Sequence, residues 1–203
     1  MGRWSIMSDA NKTLYKMSID QILDNTHLLP PPSKQMLKKS ITEVSYPKGY
    51  ILLRADKVEA NIYFIKKGIA RAYAQTADNE ITFWFGKEGD TVISMKSYVA
   101  NQKGYEDIEL LEDCQLYELK TKDLQALFEK DIHIANWGRK FAEQELVKTE
   151  ERLISRQFKT ATERYKDLLK NHPDLIQRVQ LGHIASYLGI TQVSLSRIRA
   201  EIR

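Results

Sequence analysis

The side chains best suited to chemistry crowd the end of the sequence. In LGHIASYLGITQVSLSRIRAEIR, Leu181 to Arg203, the polar residues Thr191, Gln192, Ser194, Ser196, Arg197 and Arg199 interleave with Val193. Gln bonds adenine at two points, and Arg does the same with guanine O6 and N7. Val193 offers methyl groups to thymine. Ser194, Ser196 and Arg199 suit phosphates, which place a protein on a duplex without specifying sequence. The competing reading of these residues is an ordinary helical hairpin with a solvated basic face.

Charge favours the first reading. The chain carries +4 overall. From Ser155 onward nine Lys/Arg stand against four acids, so the tail holds +5 and the remaining 154 residues −1. A basic tail on a near-neutral body is the footprint of a polyanion contact.

Other chemistries find little support. The single cysteine, Cys114, can form no internal disulfide and reads as a reduced thiol on a strand. His27, His133, His172 and His183 are scattered, so no metal or other cofactor is expected. There is no nucleophile elbow, no phosphate-binding GxxxxGK[ST] loop, no GxGxxG and no His-Glu metal motif, so no enzyme is expected. Glu150 and Glu151 are adjacent on a helix and point apart, which makes them a solvated face. No apolar run nears the ~18 residues that span a bilayer. The opening MGRWSIMSDANK lacks the apolar core of a secretory signal, so the expected compartment is the cytoplasm. Gly2, Arg3 and Trp4 are left out of the fold reading.

These residues need elements to hold them. Leu181, Ile184, Ala185 and Leu188 mark one helix face, and Gly189 is a left-handed stop. Thr191 can cap a second helix whose inner face is Leu195, Ile198 and Ile202. Two helices joined by a glycine turn make a helix-turn-helix, and its second helix, Thr191–Ile202, is the reading helix. Upstream, Thr160-Ala161-Thr162-Glu163 fits a capping box, and that helix should end near Asn171-His172-Pro173. Ile134–Phe158 reads as one long helix. Its apolar residues drift along one side, which suits either packing on its own sheet or, as the favoured reading, self-association. Lys159–Thr160 is then the hinge between body and tail. Thr121–Asp131 is a short helix, and residues 17–40 are helical around Pro30-Pro31-Pro32. Between them VSYPKGYILL, NIYFIKKGIARAYAQ, EITFWFGKEGD, YEDIELLED and CQLYEL are short apolar runs split by turns, the pattern of an antiparallel sandwich or barrel. Gly49, Gly68 and Gly89 sit where those turns need positive φ.

The same stretches resemble the bacterial Crp/Fnr family of transcription regulators. IASYLGITQVSLSRI is similar to that family's helix-turn-helix signature. YPKGYILL, NIYFIKKGIARAY, FWFGKEGD and LED, in that order, resemble its cyclic-nucleotide-binding-type β-roll. The resemblance covers roughly residues 40 to 203. It implies an α+β chain: a jelly-roll-like antiparallel β-roll sensor over 1–130, a dimerisation helix over 131–159 and an all-α DNA-binding domain over 160–203. It further implies a homodimer formed through the 134–158 helix, a near-palindromic DNA site and RNA polymerase as a partner.

The departures from the family bear on ligand and target. Its cAMP-binding members hold the cyclic phosphate between a glycine–glutamate pair and an arginine–serine pair. Alignment puts Ser94 in place of the glutamate and Gly104 and Tyr105 in place of arginine and serine. Nothing there can neutralise a phosphate, so control by cAMP is not expected. Ser94, Met95, Lys96, Gly104 and Tyr105 remain the candidate effector pocket, with Lys96 and Lys103 read as parts of a solvated loop. At the start of the reading helix Gln192 and Val193 replace an arginine–glutamate pair, while Arg197 matches a later arginine, so a different operator is implied. The resemblance also implies a β-wing after the reading helix, whereas the sequence stops within or just past it. Two other functions stay open: a regulator inactive on DNA until an unidentified small molecule fills the β-roll, and a protein-interaction module with a degenerate helix-turn-helix.

Overall fold

A computed structural model describes residues 16–77 and 79–202. The residues of the N-terminal signal reading, including Gly2, Arg3 and Trp4, lie outside it, as does Arg203. In chain order the elements are α1 (Ile19–Thr26), α2 (Pro31–Lys39), β1 (Ile41–Tyr46), β2 (Ile51–Leu53), β3 (Asn61–Lys67), β4 (Ala70–Gln75), β5 (Glu80–Gly86), β6 (Thr91–Val92), α3 (Met95–Ala100), β7 (Asp107–Leu110) and β8 (Cys114–Lys120). There follow α4 (Thr121–Lys130), α5 (Ile132–Phe158), α6 (Ala161–Asn171), α7 (Pro173–Arg178), α8 (Leu181–Leu188) and α9 (Gln192–Ile202). Among the described residues no helix is long and apolar enough to cross a membrane.

The strands form two four-stranded antiparallel sheets, ordered β1-β8-β3-β6 and β2-β7-β4-β5. They face each other as a jelly-roll-like sandwich, filled by Leu53, Ile65, Ala72, Val92, Ile108, Leu110 and Leu116. β3 explains its own unbroken apolar run. Tyr63 and Ile65 point between the sheets, while Ile62 and Phe64 point out under a cover of helices. A strand buried on both faces shows no alternation. The cover comes from α1, α2, α4 and the start of α5, whose Ile134 and Trp137 are fully buried. Trp137 Nε1 donates to the Leu23 carbonyl at 3.0 Å, so its one polar atom is satisfied.

Glycine is required at the β3–β4 turn. Gly68 has φ +114°, and a Cβ there would sit 2.3 Å from Cys114 Sγ. Cys114 is buried at the start of β8, and burial pushes its thiol up to about 12, which makes it inert at neutral pH.

Candidate nucleic-acid interface

The tail is built from local signals. Thr160 caps α6, accepting the Glu163 N–H at 3.3 Å while Glu163 Oε2 accepts the Thr160 N–H at 2.8 Å. α8 ends at Gly189, with φ +69° in the left-handed region. Thr191 Oγ1 then accepts the Ser194 N–H at 3.1 Å and starts α9. Leu195 is buried against Ile184, Ala185 and Leu188, with Ile198 and Ile202 alongside. The two helices therefore pack through the faces their periodicity marks.

That packing turns the other face of α9 outward. Thr191, Gln192, Val193, Ser196 and Arg197 are exposed, Val193 at 62%. Ser194 and Arg199 are half-buried. Ser194 is drawn into the Thr191 cap, and Ser196 Oγ donates back to the Gln192 carbonyl at 3.0 Å. The side chains of Gln192 and Arg197 make no hydrogen bond or ion pair among the described residues, so their donors remain for an outside partner.

α8 faces the other way. It lies on the outer edge of β5, where Ser186 Oγ accepts the Thr82 N–H at 2.9 Å and donates to the Glu80 carbonyl at 2.9 Å. Beside it Arg71, from β4, is only 3% exposed. Its Nη2 meets Glu80 at 2.7 Å and Glu109 at 2.9 Å, its Nη1 donates to His183 Nδ1 at 2.8 Å, and its guanidinium covers the Tyr73 ring at 4.1 Å. Burial first, and then Arg71, hold His183 below its ordinary pKa, which keeps Nδ1 an acceptor. Two further ties join tail to body: Arg178 forks between Glu88 and Glu112 at 2.7–3.0 Å, and Lys87 grips Asp174 at 2.9 Å. Ile69, Phe85 and Leu111 of the β-roll join the apolar core of the tail.

The basic tail is thus less free than its charge count suggests. Arg178 is spent inside the chain, Lys159 pairs with Asp167 at 2.6 Å, and Arg164 donates to backbone carbonyls. Lys166, Lys170, Arg197 and Arg199 form no ion pair among the described residues. Sequence reading missed Arg71 and His183, because a buried charge on a strand is recognised by partners far along the chain.

In the β-roll, two of the candidate pocket residues meet. Ser94 is 3% exposed with an unpartnered Oγ, and a Cβ on Gly104 would lie 2.7 Å from that oxygen. The third member is Glu106, absent from the sequence reading. It is buried, accepts the Tyr105 N–H at 3.0 Å and lies 3.1 Å from the same Cβ position. Met95, Lys96 and Tyr105 are exposed instead. The stretch after Ser94 is the helix α3, not a loop, and Ser94 and Ser97 take its inward positions. The two segments that flank this spot meet at a carboxylate and not at a guanidinium.

Residues 43–131 match the cyclic nucleotide-binding domain family. No curated protein matches the sequence. Among solved structures, FixK2 from Bradyrhizobium japonicum superposes with a TM-score of 0.67 at 22% identity, covering 80% of this chain and 84% of that one. A putative Crp/Fnr-family transcriptional regulator from Eubacterium rectale gives 0.67 at 15% identity, with 84% and 82% covered. CLP of Xanthomonas campestris, described as a c-di-GMP responsive global regulator, gives 0.64 at 17% identity, with 85% and 91% covered. The chain therefore carries a cyclic-nucleotide-binding-type domain, and over most of its length it has the fold of Crp/Fnr regulators.

Proposed function

We propose that the protein is a sequence-specific, homodimeric DNA-binding transcription regulator of Crp/Fnr type that reads DNA through α9 and is not controlled by cAMP. The observation that carries this reading is the outward face of α9. Gln192, Val193, Ser196 and Arg197 stand exposed on a helix whose opposite face is buried. Ser194, Ser196 and Arg199 are assigned to the phosphates beside them, and Thr191 caps the helix that carries them. The proposed functional units are the β-roll over 1–130, the helix over 131–159 and the reading domain over 160–203.

Dimerisation is supported by α5. Its first turns are buried, but Leu146, Val147, Leu153, Ile154 and Phe158 stand out in water, Leu146 at 70% and Phe158 at 78%. A second copy of the helix would cover them. Two reading helices then address half-sites about one DNA turn, ~34 Å, apart. The buried Glu106 beside Ser94 supports independence from cAMP, because a phosphate brought there meets like charge. RNA polymerase in a bacterial cytoplasm is the partner and setting this function requires. The ties between α8 and β5 favour a second reading, in which a small molecule in the β-roll gates the tail.

The test is selection from a randomised duplex pool by the ligand-free protein at near-physiological salt. Enrichment of a near-palindrome with guanine in each half-site is the expected result. Weak, salt-sensitive binding with no enriched sequence would exclude an effector-free reader and leave the gated reading.

A further inference from the structure

A cavity of about 660 Å³ lies between the β5–β6 end of the β-roll, the second half of α5 and the helices of the tail. That is the size of a site for a drug-sized ligand. It is separate from the Ser94–Gly104–Glu106 spot. One wall is aromatic: Trp84, Phe85 and Tyr187, the last two with ring centroids 5.2 Å apart.

The other wall is cationic, and its charges are not equally occupied. Lys87, Lys148 and Lys159 are held by Asp174, Glu145 and Asp167. Arg152, Arg156 and Arg164 have no ion pair among the described residues. Arg152 donates only to Thr149 Oγ1, at 2.8 Å. Arg164 reaches the Leu188 carbonyl at 2.7 Å and leaves its Nε buried without a partner. Arg156 Nη2 lies 3.9 Å from the Cβ position of Gly189. The three guanidiniums converge on the Tyr187–Gly189 turn. Of the lining carboxylates, Glu145 and Asp167 are paired with lysines, while Glu151 and Asp90, which accepts the Lys87 N–H at 2.9 Å, have no ion pair among the described residues. With Arg164 held by backbone carbonyls, the guanidiniums of Arg152 and Arg156 remain for a ligand, and a forked pair of them suits a phosphate. At 3.6 residues per turn, Lys148 lies on the far side of α5 from Leu146 and Leu153 and Arg152 on their flank, while Ile154 borders both the cavity and the face a second copy would cover, so part of the cationic wall stays clear of that face.

We propose that this cavity binds a small aromatic phosphate ester, with Arg152 and Arg156 taking the phosphate and the Trp84–Phe85–Tyr187 wall taking the ring. Such a ligand would tie α5 to the tail. The proposal stands apart from DNA reading and is tested without DNA. Melting of the full-length protein is followed with AMP, inorganic phosphate or adenosine, and affinities are taken by calorimetry. AMP should raise the melting temperature saturably, with phosphate weaker and adenosine silent. The double variant Arg152→Ala/Arg156→Ala should melt as the parent does and bind AMP at least about tenfold more weakly. Arg152→Lys, which keeps charge but loses the fork, should fall between. No saturable shift with AMP at millimolar concentration, a shift that survives the double alanine variant, or an equal shift with adenosine overturns it.

Discussion

α8 and α9 are neighbours of similar length, eight and eleven residues, and they treat their polar side chains in opposite ways. On α8, His183 and Ser186 are bound to the β-roll, one by a buried arginine and the other by a strand edge. On α9, Gln192, Val193, Ser196 and Arg197 face water, and Arg197 has no partner among the described residues. One helix uses polarity for fixed internal contacts. The other leaves the Gln192 and Arg197 side chains without a partner among the described residues. Substitutions on α8 and its strand partners should therefore change stability, and those on α9 should change recognition.

The largest break in that contrast is Arg71→Ala. It leaves Glu80 and Glu109 without their shared cation and His183 without its donor. Removing one partner of a buried pair costs ~3–5 kcal/mol, and the partial exposure of Glu80 places the effect near the lower end. Urea unfolding should register that loss. A midpoint unchanged from the parent would mean that Arg71 does not anchor the tail.

On the other side of the comparison, Arg197→Ala should leave the urea midpoint alone and cost ~1–3 kcal/mol of discrimination at one base of each half-site. Competition between the selected duplex and single-base variants measures it. Lys166→Ala, also exposed, should instead weaken all sequences alike and lower the salt slope by about one. Identical behaviour of the two variants on specific and random DNA would dissolve the division into reading and positioning residues.

Smaller again is Ser186→Ala. It strips the Thr82 N–H of its acceptor at the edge of β5, which should cost about 1 kcal/mol of stability. Amide exchange at Thr82 should quicken in the variant. Protection retained there would place another acceptor on that strand edge.

What was legible in the sequence follows the same division. Contacts close along the chain were readable: the Gly189 stop, the Thr191 cap and the Thr160–Glu163 box. Contacts between distant segments were not. Arg71 and His183 lie 112 residues apart, and Arg178 and Glu88 lie 90 apart, so no periodicity announces either pair. Arg178 was counted among charges for DNA because a charge tally cannot see Glu88 and Glu112. Pro173 gave the end of α6, yet it also opens α7, as proline at a first helical position can. α3 is six residues long, too short for a helical period to show, and it closes on Asn101 at φ +50°. Glu106 was passed over because it lies beside the aligned positions and not among them.

The smallest expected effect is a pH dependence of the α8 contact. His183 is faced by Arg71, Glu80, Glu109 and, farther off, Lys48, and burial with Arg71 lowers its pKa below the ordinary value near 6.5. His172 is lowered as well, by burial and then Lys87. In both cases the unfolded chain takes up a proton before the folded one does. Stability should therefore be level above the ordinary histidine pKa and fall as pH drops from there toward the lower folded values. Urea midpoints taken from pH 7.5 to 5.5 should decline. His183→Gln keeps an acceptor for Arg71 but cannot titrate, so it should flatten part of the decline and leave the share of His172. An unchanged slope in His183→Gln would mean that protonation of His183 does not loosen α8, and that Ser186 and the packing on β5 hold that helix without it.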